Sequence, residues 1–141
     1  MFVSKFIKLW LPFLSCAAII YYFSDQPDLK SDLPAIWDFA FRKIAHMLEY
    51  AIFTWLAIRV LRFSGSYKFN HSLILGAIIA VLYAASDEYH QTFVFGREGT
   101  LRDVIIDSIG VVILIWYYSR VKGDLIRSLI AIIKKLIKKT P

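Results

Sequence analysis

At 141 residues the chain has room for one domain, and its composition, 58% hydrophobic against 20% charged, is that of a membrane protein. A single cysteine, Cys16, excludes an intramolecular disulfide and any multi-cysteine metal site. The formal net charge of +6 sits in loops and in the C-terminal tail with no nucleic-acid motif around it, so it points to a membrane surface and not to nucleic acid.

Four apolar runs follow in chain order. The first, 6–23 (FIKLWLPFLSCAAIIYYF), has Lys5 and Lys8 near its start. It continues through Ile19, Ile20 and Tyr22, past the small residues Ser15, Cys16 and Ala17 where a signal peptide would be cut, so it reads as a retained anchor. The second run covers 39–60, the third 72–89 and the fourth 103–118, the last short unless its polar start is included. Each approaches the roughly 20 residues that cross a bilayer core. Gly76 and Gly110, with Ala77, Ala80, Ala84 and Ala85, predict close helix approaches.

The tail differs in character. Leu125, Ile126, Leu129, Ile130, Ile133, Leu136 and Ile137 recur at steps of three and four, while Arg127, Lys134, Lys135, Lys138 and Lys139 take the other face. This predicts an amphipathic interfacial helix on an anionic inner leaflet. The expected fold is therefore all-α: an integral membrane bundle of four transmembrane helices over residues 1–122, plus the basic amphipathic C-terminal helix over 123–141.

With both termini inside, Lys5, Lys8, Arg59, Arg62, Lys68 and every basic residue from Arg120 onward face the cytoplasm, which is 12 of the 17. Lys30, Arg42, Lys43, Arg97 and Arg102 remain outside. The positive-inside rule thus orients the chain N-in and C-in.

That orientation gathers the ionisable side chains at one level. His46, Glu49 and Tyr50 share one face of the second helix, with Arg42 and Lys43 a turn earlier. Tyr83, Asp87, His90 and Gln91 follow helical steps at the end of the third, where one of Asp87 and Glu88 is expected to face inward and the other a neighbouring helix or water. Asp103, Asp107 and Gly110 share a face at the start of the fourth, and the intervening loop supplies Arg97, Thr100 and, at its end, Arg102. Buried charges need partners. As helix-locking ion pairs they would be His46–Glu49, His90–Asp87 and Arg97–Asp103.

These residues also carry a resemblance. KIAHMLEYAIFTWLA followed by SDEYHQTFVFGREGTLRDVIIDSIG is similar to the VanZ-like membrane protein family, associated by name with resistance to the glycopeptide teicoplanin. The shared succession is His-x-x-x-Tyr, Asp-Glu-x-x-Gln, then Gly-Arg-x-x-Ser/Thr-x-x-Asp, with SDQP at 24–27 fitting the turn after the first span. The resemblance covers about 10–118. It implies that the family's polar signature falls on His46, Glu49, Tyr50, Asp87, Glu88, Gln91, Arg97, Asp103 and Asp107. Asp107 stands where many relatives have Asn, and Thr100 where Ser is commoner. The family name supplies no mechanism.

The functional expectation is an enzyme acting on a membrane lipid or lipid-linked cell-wall precursor of anionic character at the outer face of a bacterial plasma membrane. Catalytic candidates are His46, Glu49, Asp87, Glu88, His90 and Asp107. Substrate-binding candidates are Arg42, Lys43, Tyr50, Tyr83, Gln91, Arg97, Thr100, Arg102 and Asp103. Arginine suits phosphate because its planar fork meets two oxygens at once, and histidine suits proton transfer because it titrates near neutrality. A divalent metal is possible on the same histidines and carboxylates, although HMLE and DEYH match no closed metal-site spacing. The alternatives are a non-catalytic lipid- or precursor-binding protein and a small oligomeric channel or transporter. The sequence names neither the substrate nor an oligomeric state.

Overall fold

A computed structural model describes the backbone of residues 2–27, 34–65 and 67–137, with side chains over 4, 6–27, 34–65 and 67–121. The described residues form four helices and no strand: α1 (Phe2–Ser24), α2 (Ala35–Phe63), α3 (Phe69–Gln91) and α4 (Leu101–Ile137). Each contains a stretch long and apolar enough to span a membrane, so this is a multi-pass membrane protein.

Polar and apolar residues are distributed as a lipid solvent requires. Ile36, Leu82, Val112 and Trp116 are among many large apolar side chains left exposed on the outside. The interior instead holds Thr54, Ser72, Asp87, Glu88, Gln91 and Asp107 beside a compact aromatic core. Phe53 is its centre, stacked between Phe13 at 5.0 Å and Tyr83 at 4.7 Å between ring centroids, with Tyr50, Ala80, Ala84 and Val111 closing around it.

The helix α2 packs on all three others, whereas among the described residues α1 packs on α2 and α3 but not on α4. Small residues permit the closest approaches. A Cβ at Gly110 would stand 2.0 Å from the Met47 carbonyl oxygen, and one at Gly76 would stand 2.6 Å from Ile58 Cγ1. The expectation from the glycines is met at both positions.

Helix lengths depart from the hydropathy runs. At 29 residues α2 begins four residues before its apolar run, at Ala35 behind Pro34, and at about 1.5 Å per residue it is longer than the hydrocarbon core is thick. Its first turns carry Asp38, Arg42 and Lys43. The helix α4 runs unbroken to Ile137, so the tail continues the fourth helix and no break marks residue 122. The side chains of 122–141, on which the interfacial-helix expectation depends, lie outside the described residues.

Candidate functional site

Four helix ends and one loop build a cleft at a single end of the bundle. The loop 92–100 turns at Gly96, whose φ of 78° lies in the left-handed region open to glycine. It then lies against the end of α3, where a Cβ at Gly99 would stand 1.9 Å from the Glu88 carbonyl oxygen. Thr100 caps α4: its Oγ1 accepts the Asp103 N–H at 3.2 Å, and Asp103 places a negative charge in the first turn. The Thr100 N–H in turn donates to Glu88 Oε2 at 2.9 Å.

This geometry resolves the ambiguity at Asp87 and Glu88. Both are buried, at 4% and 5% exposure. Asp87 faces the bundle interior and accepts from Gln91 Nε2 at 3.1 Å, while Glu88 holds the start of α4 and does not face water.

Of the expected ion pairs, only His46–Glu49 is present, and it is long at 3.8 Å. His90 turns away from Asp87: its Nε2 lies 3.2 Å from Asp25 Oδ1, and its ring packs on Tyr21. Asp103 pairs with Lys43 at 2.8 Å and not with Arg97. Arg97 instead donates from Nε to the Gln26 carbonyl at 2.8 Å and from Nη2 to the Phe23 carbonyl at 2.7 Å, which satisfies acceptors left open at the end of α1.

Two cavities meet here. The outer one, about 400 Å³, is bounded by Lys43, Glu88, Gln91, Glu98, Thr100, Arg102 and Asp103. The inner one, about 220 Å³, lies between α1 and α2 against Ile20, Phe23, Ser24, Ala45, Glu49 and Asp87. Arg42, His46 and Arg97 line both. Tyr50 and Asp107 are buried, Asp107 Oδ1 standing 3.8 Å from His46 Nδ1. The polar atoms buried without a hydrogen-bond partner among the described residues are Ser24 Oγ, His46 Nδ1, Tyr50 OH and Asp107 Oδ2. The Ser24 and Tyr50 hydroxyls lie beside the Asp87 carboxylate, although neither completes a well-formed hydrogen bond to it.

Most of the candidate residues are thus brought together. Four are not on the cavities: Tyr50 and Asp107, which are buried, His90, and Tyr83, whose hydroxyl donates to the Ala17 carbonyl at 2.7 Å and whose ring belongs to the core. Sequence reasoning missed Ser24 and Asp38. The latter binds Arg42 Nη2 at 2.8 Å, and its position four residues ahead of Arg42 on α2 was the available signal. No group of three or more His, Cys, Asp or Glu among the described residues could hold a metal ion.

Four membrane-length helices with a charged cleft at one end define a multi-pass helical membrane protein. A family model described as VanZ/LLP1 matches residues 2–126, and the chain belongs to that family. No curated protein and no solved structure matches it.

Proposed function

We propose that the cleft binds an anionic lipid-linked cell-envelope molecule at the outer face of a bacterial plasma membrane and acts on it by acid–base chemistry. The observation that carries this reading is the shared wall of the two cavities. A charged outer chamber and an apolar-walled inner chamber meet at Arg42, His46 and Arg97, as an amphiphile with a charged group next to its lipid portion requires. Arg42, Lys43 and Arg102 supply cationic donors around the outer chamber. His46 is the proton-transfer group, with Glu49 and Asp107 each 3.8 Å from Nδ1 to orient the ring and support its charge.

The bias of basic residues supports N-in and C-in, which places the cleft outside. In the same reading the basic, amphipathic stretch 123–141, continuous with α4, meets the anionic inner leaflet where that helix leaves the membrane and so anchors the transmembrane unit, residues 1–122. The family name links the chain to glycopeptide resistance, which modification or shielding of a lipid-linked cell-wall precursor would produce. A site at one end of the bundle argues against a carrier, whose sites lie near the bilayer midplane.

A second reading, binding without chemistry, is favoured by the His46 contacts, which at 3.8 Å are longer than hydrogen bonds. The test is native mass spectrometry with elemental analysis on gently extracted protein. An anionic amphiphile that co-purifies with the wild type and is lost from Arg42→Ala and His46→Ala supports the site. Identical lipids in all three forms would reject it.

A further inference from the structure

We infer that the end of the bundle opposite the cleft carries a second lipid site, in which a groove between α3 and α4 takes one acyl chain of an anionic phospholipid and Arg59 and Arg62 hold its phosphate. The inference goes beyond the reading of the cleft and does not depend on it.

The groove, about 510 Å³, is lined by Asn70, Leu73, Ile74, Ala77 and Ile78 of α3 and by Ile115 of α4. Except for the Asn70 amide, that wall is apolar. At about 1.5 Å per residue the stretch 70–78 rises about 12 Å, most of the roughly 15 Å of hydrocarbon in one leaflet. One turn beyond Ile115, Tyr118 stacks on Phe69, the residue before Asn70, at 6.2 Å between centroids. An aromatic stack thus marks the groove's headgroup end, where such rings belong.

Two guanidiniums flank that stack. Arg62 lies 5.0 Å over the Phe69 ring. Arg59 lies 5.7 Å over Trp55, whose Nε1 donates to the Tyr118 hydroxyl at 3.0 Å. Both arginines are half-buried, three residues apart on α2, and among the described residues neither forms an ion pair. This end also holds Lys8, Lys68 and Arg120 and, among the described residues, no carboxylate. Ring faces orient a guanidinium but leave its N–H fork open to a phosphate.

Charge also decides the occupant. Copies of one chain share an orientation in the membrane, so a second copy seated in the groove would bring its own basic end to the same level. A phospholipid brings the opposite charge, on a leaflet that the positive-inside rule makes the inner one.

The test uses the full chain in detergent micelles doped with phosphatidylglycerol or phosphatidylcholine of matched acyl chains, with bound lipid counted by native mass spectrometry. Phosphatidylglycerol should be retained about tenfold above phosphatidylcholine, the size of one charge-assisted contact. The double variant Arg59→Gln/Arg62→Gln should remove that preference. Lys8→Gln/Lys68→Gln, which removes the same charge from the same end away from the stack, should leave it within about twofold. Ala77→Phe fills the groove, keeps both guanidiniums, and should lower retention of either lipid. Arg42→Ala, at the cleft, should leave the preference intact, so failure of the cleft reading and failure of this one are separable. Equal retention of the two lipids, equal loss in the two double variants, or full retention in Ala77→Phe overturns the site. A dimer that Ala77→Phe dissociates, with no lipid bound, overturns it in favour of a second copy.

Discussion

Arg97 Nη2 donates to the Phe23 carbonyl oxygen at 2.7 Å, which ties the loop ahead of α4 to the last turn of α1. Among the described residues the helix α1 makes no packing contact with α4 and is the least buried of the spans, at 11% against 39% for α2. The guanidinium is therefore a clasp for a loosely held helix, formed by two charge-assisted bonds. Arg97→Ala should lower stability by about 2 kcal/mol, allowing for partial replacement of those bonds by water. Arg97→Lys should restore less than half, because an ammonium cannot reproduce the two-pronged fork. Thermal unfolding in detergent measures both, and equal stability of all three forms would rule out the clasp.

Gly110 gives the sharpest steric prediction. A methyl group there meets Met47 backbone, not the flexible end of a side chain, so α2 and α4 must move apart. Gly110→Ala should destabilise by about 1–3 kcal/mol, the usual cost of overpacking. Gly76→Ala clashes with the Ile58 side chain while the Ile58 backbone stays at ordinary contact distance, and should cost less. A reversed order of melting temperatures would show that the α2–α4 contact is looser than described.

The Lys43–Asp103 bridge joins α2 to α4 at 2.8 Å with both side chains largely covered, at 20% and 13% exposure. A double-mutant cycle of Lys43→Met and Asp103→Asn should give a coupling of about 1 kcal/mol, shrinking as salt is raised. Arg97→Ala with Asp103→Asn should instead be additive, because those two residues do not pair. A strong Arg97–Asp103 coupling would contradict the observed partners.

The sequence made the convergence of polar groups legible because helical spacing and four apolar runs suffice for it: His46, Glu49 and Asp107 meet as their register requires. Individual partners were less legible. His90 lies three residues after Asp87, yet helix rotation turns it to α1, where Asp25 and Tyr21 wait across a contact that spacing cannot encode. Arg97 binds backbone carbonyls, which carry no letter in the sequence. The extent of α2 was underestimated because Asp38 and Arg62, just outside the apolar run 39–60, depress hydropathy without breaking a helix.

Orientation can be checked through the single native cysteine. In a Cys16→Ser background, Phe95→Cys places a thiol on the loop 92–100 at a position 92% exposed. An impermeant maleimide should label it in intact cells, whereas a cysteine at Tyr67, between α2 and α3, should react only after permeabilisation. Labelling in the opposite order would put the cleft inside and remove the extracytoplasmic ligand from consideration.

His46 and His90 separate chemistry from architecture. His46 lies on both cavities within 3.8 Å of two carboxylates, while His90 is off the cavities and bound to Asp25. Glutamine keeps some hydrogen bonding at either position and cannot exchange a proton near neutral pH. His46→Gln should reduce turnover of the retained lipid by at least about 100-fold, the lower range for losing an acid–base group, with lipid retention nearly unchanged. His90→Gln should leave turnover within about twofold, since an exposed His–Asp contact contributes little. Full turnover in His46→Gln would remove proton transfer from the site and leave binding as its function. Loss in His90→Gln alone would move the chemistry to the α1–α3 side, where Asp25 and Tyr21 would be its partners.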